Sequence, residues 1–173
     1  MRKLIVLALI VVAVGLLLFI PVGVGEARRI ETTTIINRPP AKVFDYVTTP
    51  ANWPKWHPAS LSVSGAADHP LTVGEEVREE FLVAGHHGHV LWTVLARDAP
   101  RRWVIEGKVE GGGGGLITYT VDPQGTGAQF HREFVYRVST LLGFILDRLF
   151  VYDRITAEST QALKQLKAAL EAS

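Results

Sequence analysis

Two charged residues, Glu79 and Arg132, fall at positions that the strand pattern assigns to the inside of the protein. In the segments Glu76–Ala84 and Gln129–Val138 polar residues alternate with apolar ones, and successive residues of a strand face opposite sides of a sheet. A charge in an apolar interior is costly unless it finds a partner. Two outcomes stay open: the side chains pair with each other or reach the rim, or Arg132 holds an anionic or carbonyl head group that Glu79 orients.

The same alternation predicts an interior rich in aromatic side chains. Besides Glu79 and Arg132, the inward residues that we predict to contact a ligand are Phe81, Trp92, Trp103, Ile105, Tyr119, Phe130, Phe134 and Tyr136. Aromatic walls with a few polar groups suit an apolar ligand that carries a polar anchor. The alternative is that these side chains fill a closed core.

Proton transfer is a second chemistry that this interior could support. Glu79, His57 and Tyr119 are the candidate acids and bases, and Arg132 could stabilise the charge of an enolate. However, nothing in the sequence supplies His57 with an orienting partner, and there is no nucleophile elbow, paired-carboxylate signature or metal triad. We therefore predict no catalytic residues and no cofactor, and a binding protein is favoured over an enzyme.

Two further motifs are typical of turns. Gly85–His89 contains three histidines, but no carboxylate or further histidine is tied to it in sequence, so we predict a solvated hairpin turn and no metal site. Gly111–Gly115 lacks the Lys-Ser/Thr of a phosphate-binding loop and predicts a mobile hairpin that could gate a cavity mouth. Trp53 and Trp56 either rim that mouth or pack under short helices.

Strands followed by one long helix position these residues. Thr32–Ile36 is predicted as a strand, and Pro40 suits the first turn of a short helix. Turn signals separate six further predicted strands, in an antiparallel meander: Leu61–Ala66, Glu76–Ala84, His89–Arg97, Arg102–Val109, Leu116–Asp122 and Gln129–Val138. Apolar residues at helical spacing predict a helix over Ser139–Ala172. Its first half is apolar on most faces, so it is pressed into a curved sheet or also touches a bilayer.

The N-terminus carries an unbroken apolar run, Leu4–Ile20, which continues to Gly25 without a charge. A helix over residues 4–24 would be about 30 Å long, enough to cross a hydrocarbon core. We predict a single-pass membrane anchor in residues 1–25 and one domain in residues 26–173; a cleaved signal peptide and a soluble form are the alternatives. Arg2 and Lys3 favour a cytoplasmic N-terminus and hence an extracytoplasmic domain, although the basic residues after the run oppose this.

The composition excludes several classes of protein. Two of the 18 basic residues precede the apolar run, which leaves 16 against 17 acidic residues in the predicted domain. A protein that binds nucleic acid needs a basic surface, so we expect no nucleic-acid partner. The chain has no cysteine, which excludes disulfides, thiolate zinc sites, iron–sulfur clusters and a thiol nucleophile.

The order of these elements resembles the START-related (SRPBCC) superfamily, which includes polyketide cyclase/dehydrase-like and lipid-transfer proteins. The most specific part is a strand followed by NRPPAKVFDYVTTPANWPKWHP. The resemblance implies an α+β helix-grip fold, in which a curved antiparallel sheet of about seven strands wraps a long C-terminal helix and leaves an apolar cavity. Carriers, cyclases, hydrolytic enzymes and chaperone regulators share this fold, so the fold alone does not decide the function.

The leading hypothesis is that the protein binds a lipid or other hydrophobic small molecule beside a membrane to which it is tethered. The second hypothesis is a cyclase or dehydratase that uses the same cavity. A third is an interaction or stress-response domain whose cavity is incidental. The first rests on the anchor, the resemblance, the aromatic interior and the lack of a recognisable catalytic set.

Overall fold

The computed structural model describes residues 2–19, 27–138 and 140–172. Its helices are α1 (Arg2–Leu18), α2 (Pro40–Thr48), α3 (Trp53–Trp56), α4 (Leu141–Leu146) and α5 (Tyr152–Glu171), with a 3-10 turn at Pro50–Asn52 and a π-helical segment at Asp147–Val151. Its strands are β1 (Arg28–Ile36), β2 (Ser60–Gly65), β3 (Glu76–Val83), β4 (His86–Asp98), β5 (Arg102–Val109), β6 (Gly114–Gln124) and β7 (Gly127–Tyr136).

The seven strands form one antiparallel sheet in the order β1-β7-β6-β5-β4-β3-β2. All consecutive strands from β2 to β7 are neighbours, and β1 returns to pair with β7 from Arg28 opposite Tyr136 to Ile36 opposite Ala128. The second half of the C-terminal helix, α5, packs against β1 and α3. The predicted helix-grip arrangement of a curved sheet around a long C-terminal helix is confirmed.

The short helices close one end of this arrangement, which we call the base. Pro40 opens α2, where its missing N–H costs nothing, and Val43, Phe44 and Val47 bury one face of the helix completely. The indole Nε1 of Trp53 donates to the carbonyl of Val47 at 2.9 Å. The two tryptophans of α3 therefore pack inward under the short helices, as one of the two sequence-based alternatives proposed.

The histidine-rich segment differs from its prediction. Strand β4 begins at His86, so His86, His87 and Gly88 belong to a strand and the predicted turn at Gly85–His89 is wrong. The β3–β4 connection needs only two residues, Ala84 with φ 49° and Gly85 with φ 83°. Positive φ at both central positions is what a tight hairpin turn requires, so no longer loop is needed.

The predicted single helix over Ser139–Ala172 is divided. Ser139 lies outside the described residues, α4 starts at Leu141, and a π-helical segment separates α4 from α5. This segment contains the buried Asp147, whose carboxylate accepts a hydrogen bond from the Tyr136 hydroxyl and lies 2.8 Å from Arg28 Nε. In a π-helix each backbone hydrogen bond spans five residues instead of four, so the helix is wider here, where the Asp147 carboxylate turns inward.

The N-terminal helix α1 covers Arg2–Leu18 and carries exposed apolar side chains such as Leu9 and Leu16. It contacts α4. Residues 20–25 of the predicted anchor lie outside the described residues. Within the described ranges, the structure holds no helix that is both long and apolar enough to cross a membrane.

Candidate ligand-binding cavity

A cavity of about 250 Å³ lies between the concave side of the sheet and the C-terminal helix. This volume is close to the lower limit of small-molecule sites, roughly 300 Å³. Its inner wall is formed by aromatic side chains of α3, β5 and β6, above the base of the fold. Its mouth lies at the opposite end of the sheet, where Val83, Val109, Gly114 and Arg137 mark the ends of four strands.

The predicted inward faces of the strands are confirmed. Val77, Glu79 and Phe81 are buried on β3, while Arg78 and Leu82 on the same strand are exposed. All but one of the predicted ligand contacts line the cavity: Glu79, Phe81, Trp92, Trp103, Ile105, Tyr119, Arg132, Phe134 and Tyr136. Whether they touch a ligand stays a prediction.

Phe130 is the predicted contact that does not line the cavity. It is completely buried behind Tyr119, at 5.1 Å between ring centroids, and its other neighbour is Trp56. It faces inward as the alternation requires, but it lies near the base, where α2 contacts β7. Strand alternation predicts the side of the sheet and not the depth along it.

The inner wall is a connected set of aromatic rings. The rings of Trp103 and Tyr119 stack at 5.3 Å, and Trp53 and Trp56 meet them edge-on at 6.3 Å each. All four tryptophans of the chain line the cavity. Edge-to-face and offset-stacked rings hold each other in place, so this wall is stiff and apolar.

Two glycines of the strands make room for cavity side chains. A Cβ atom at Gly107 would lie 2.5 Å from the Trp92 ring, and one at Gly115 would overlap the Phe134 ring. Both positions face the concave side, where another residue would carry a side chain. The glycines therefore let two large rings lie flat against the sheet and leave space above them for the cavity.

Glu79 and Arg132 are both buried, at 8% and 4% exposure, but they do not form an ion pair within the described part of the chain. The carboxylate of Glu79 accepts a hydrogen bond from Trp92 Nε1 at 2.7 Å. One terminal nitrogen of Arg132 donates to Ser159 Oγ at 3.2 Å. Burial raises the pKa of the Glu79 carboxyl, against the opposing effects of the Ser60 hydroxyl, the Trp92 N–H and the Arg132 charge.

Arg132 has donor capacity to spare. Its Nε is buried and finds no hydrogen-bond partner among the described residues. The guanidinium carbon lies 5.4 Å from the centre of the Phe134 ring, which is a favourable but weak cation–π contact. A buried N–H without an acceptor costs about 1–3 kcal/mol, so an oxygen atom that reached this nitrogen would be stabilised there.

His57 is a second donor on the cavity wall. Its Nδ1 accepts the backbone N–H of Ala59 at 3.3 Å, and its Nε2 has no partner in the described part of the chain. Burial and the positive charge of Arg132 lower the pKa of His57 to about 3. The ring is therefore neutral at physiological pH and carries its proton on Nε2. The backbone of Ala59 is the orienting partner that sequence reasoning missed.

The two cavity tyrosines keep their protons. Burial raises the pKa of Tyr119 to about 12. Burial and the neighbouring Asp147 carboxylate also raise the pKa of Tyr136, whose hydroxyl donates to that carboxylate. Neither phenol is ionised near neutral pH, so of the acid and base roles in proton transfer Tyr119 keeps only that of a proton donor.

Helix α5 supplies cavity residues that the sequence analysis did not single out: Ile155, Glu158 and Ser159. Glu158 accepts the backbone N–H of Ala84 at 3.0 Å and so joins the β3–β4 turn to the helix at the mouth. The sequence did contain one signal for this part of the site. Ser159 is a small polar residue on the buried side of an amphipathic helix, and its hydroxyl accepts a hydrogen bond from the buried Arg132.

Groups that could hold a metal ion lie on the outer side of the sheet. Glu31, His131 and Glu133 bring one ligand atom each to within 4.8 Å of the others, but Arg29 lies 2.8 Å from Glu133 and already supplies a cation. His87 Nε2 lies 2.8 Å from a Glu80 oxygen, the carboxylate that the sequence did not tie to the histidine motif. Neither group faces the cavity.

Comparison with known proteins agrees with this geometry. Residues 27–171 match the model of the family described as polyketide cyclase/dehydrase and lipid transport. No curated protein sequence matches the chain. Among solved structures, a protein of Thermus thermophilus is 15% identical with a TM-score of 0.68, covering 84% of this chain and 98% of its own.

Two further structures share the fold. A protein of Chromobacterium violaceum is 20% identical with a TM-score of 0.63, covering 83% of this chain and 97% of its own. DynU16, a protein in the dynemicin biosynthetic locus, is 16% identical with a TM-score of 0.58, covering 83% of this chain and 47% of its own. At these identities the structures show the fold alone, whereas the family match spans nearly the whole domain. The chain belongs to the polyketide cyclase/dehydrase and lipid transport family.

Proposed function

We propose that the protein binds a lipid or other hydrophobic small molecule in the cavity, at a membrane to which its N-terminus tethers it. The observation that carries the proposal is an aromatic-walled cavity, open at one end, whose lining residues Arg132 and His57 each have one nitrogen, Nε and Nε2, without an acceptor among the described residues. An apolar ligand body is stabilised by burial against the walls, at roughly 25 cal/mol per Å². A carbonyl or anionic group on the ligand satisfies the two donors.

The tether is the N-terminal apolar segment. Helix α1 exposes apolar side chains along most of its length, and Leu4, Leu9 and Leu16 are each more than half exposed. Such a surface is stable when hydrocarbon covers it. We propose that residues 4–24 anchor the chain in a bilayer with the domain outside the cytoplasm. An anchored cavity meets lipidic ligands at the high concentration of the membrane.

A cyclase or dehydratase activity in the same cavity is the second candidate. The observation that favours it is the buried Glu79 carboxyl, whose raised pKa suits a general acid or base. Arg132 is close enough for its charge to act on that carboxyl and could stabilise an enolate. The pKa of about 3 makes the His57 ring a weak base, and Tyr119, with a pKa of about 12, keeps its proton at pH 7 and can act only as a donor.

Native mass spectrometry of the full chain, purified in mild detergent, tests the binding proposal. We expect a co-purifying molecule that extraction identifies as hydrophobic. The test compares a substitution inside the cavity with a matched one outside it. Val109 and Val135 are both half-buried, but Val109 lines the cavity and Val135 faces the other side of the sheet. Val109→Trp should abolish the bound mass, and Val135→Trp should keep it. Equal retention by both variants would place the molecule elsewhere and contradict the proposal.

A further inference from the structure

A group of large apolar side chains is exposed on α4 and the π-helical segment that follows it. These are Phe144 at 39%, Ile145 at 38%, Leu149 at 70% and Phe150 at 45% exposure. We call them the α4–π surface. Helix α5, by contrast, directs its leucines inward and exposes charged residues. A cluster of exposed apolar side chains on the surface of a domain indicates a site that contacts a membrane, a ligand or another protein.

The α4–π surface borders the mouth of the cavity. Tyr136 and Arg137, which line the mouth, lead directly into α4, and Ile155 follows the π-helical segment by one turn. Asp147 fixes this segment to the sheet through Tyr136 and through Arg28, the first residue of β1. Whatever covers the α4–π surface therefore lies next to the opening.

The charges around this surface are mainly basic. Arg148 lies with its guanidinium carbon 5.0 Å from the centre of the Phe144 ring, and Arg137 and Arg154 are also exposed. The acidic residues nearby are Asp147, which is buried and paired with Arg28, the exposed Asp153, and Glu158, which interacts with Arg154. Aromatic and leucine side chains among arginines are what the interface of an anionic bilayer favours.

The α4–π surface is also continuous with α1, because the two helices α1 and α4 touch. One side of the molecule thus combines the exposed apolar surface of α1 with that of α4. A bilayer that accommodates α1 is within reach of Phe144 and Leu149. This continuity and the arginines favour a lipid surface over a protein partner as the occupant.

We propose that the α4–π surface docks onto a bilayer that contains anionic lipid, so that the cavity mouth faces the membrane. The proposal rests on the tether of the proposed function and adds an orientation to it. A hydrophobic ligand then passes between bilayer and cavity without crossing bulk water. Docking also covers the apolar side chains that the fold leaves exposed.

A single-cysteine label tests the proposal in the full chain, since the protein has no cysteine of its own. Leu149→Cys carries an environment-sensitive fluorophore on the α4–π surface. Val73→Cys is the matched control: Val73 is 60% exposed and aliphatic, and it lies in the β2–β3 connection at the base. Each labelled chain is added to phosphatidylcholine vesicles with or without phosphatidylglycerol. Sedimentation reports attachment, and iodide and lipid-bound quenchers report the position of the label.

On vesicles with phosphatidylglycerol we expect the label at 149 to lose its iodide quenching, gain quenching from lipid and shift its emission to the blue. The label at 73 should stay accessible to iodide. If the chain sediments with vesicles and both labels stay in water, the docking proposal fails while the tether stands. If the chain does not sediment, both fail. A blue shift at 149 without vesicles would show that a second copy covers the surface, which also overturns docking.

Discussion

The base and the mouth of the cavity differ in how completely their residues are buried. At the base, completely buried residues of α2 and β5, such as Phe44 and Trp103, pack in a continuous core. At the mouth, Phe134 and Tyr136 are only half-buried, and the helix is interrupted by a π-helical segment. Tight packing contributes most to stability, while partly covered side chains and unpaired donors leave interactions available for a ligand. We therefore expect the base to contribute most to stability, and the mid-cavity and mouth to contribute most to ligand recognition.

The largest expected effect is at the base. Trp103 is fully buried, stacks on Tyr119 and donates its indole N–H to the carbonyl of Leu71. Trp103→Ala should lower the free energy of unfolding by about 3–5 kcal/mol, because it removes a large side chain that neighbours cannot replace. Urea denaturation measures this loss. Leu82→Ala on the exposed side of β3 is the control, and equal losses for the two variants would contradict the assignment.

Next in size is the effect of Arg132 on binding. Arg132→Met keeps the volume and removes the charge. The unfolding free energy should change little, because the loss of a buried unpaired N–H offsets the loss of the hydrogen bond to Ser159. Affinity for the co-purifying ligand should fall about tenfold or more, the usual contribution of a charged hydrogen bond. Titration calorimetry and urea denaturation measure the two quantities. A variant that loses stability but keeps its affinity would show Arg132 to be structural.

A smaller effect is expected between base and mouth, at Gly107. In Gly107→Ala the new methyl group meets the Trp92 ring, which must shift and so disturbs its hydrogen bond to Glu79. We expect a loss of about 1–3 kcal/mol of stability, typical of overpacking, and a changed tryptophan emission. The neighbouring Lys108 points to solvent, so Lys108→Ala should change neither. An unchanged spectrum in Gly107→Ala would show that the wall adapts more freely than its packing indicates.

The last predicted effect is a dependence on pH. His57 has a pKa of about 3 in the folded protein and about 6.5 when unfolded, so between these values the unfolded chain binds more protons. The contribution of the neutral ring to stability is therefore complete above pH 6.5 and is lost as the pH falls toward 3. The stability of His57→Asn should depend less steeply on pH over this window. If the unfolding free energy of the wild-type protein and of His57→Asn changed equally with pH, the result would contradict a buried neutral imidazole at position 57.

The sequence predicted the side of the sheet on which residues lie better than it predicted their depth or their partners. Alternation of polar and apolar residues placed Glu79 and Arg132 inside, because a shift by one residue would expose every apolar side chain of the strand. The same rule could not show that Phe130 lies behind Tyr119 or that Arg132 meets Ser159. These facts depend on how α3 and α5 cross the sheet, which no local pattern encodes.

The helix break and the histidine segment were missed for a related reason. The apolar spacing of residues 141–152 is compatible with a regular helix, and Asp147 leaves it only because Arg28 and Tyr136 lie opposite. His86 and His87 look like turn residues, but a two-residue turn at Ala84 and Gly85 was sufficient. Tertiary contacts accompany the first difference and local turn geometry accounts for the second.

Intrinsic tryptophan fluorescence tests the central claim most directly, because all four tryptophans of the chain line the cavity. The ligand-free protein is titrated with a brominated fatty acid, whose bromine atoms quench indole emission on contact. We expect saturable quenching at one equivalent, reversed by the co-purified molecule and absent with iodide. Quenching that rises linearly without saturation, or none at all, would show that no ligand enters between sheet and helix.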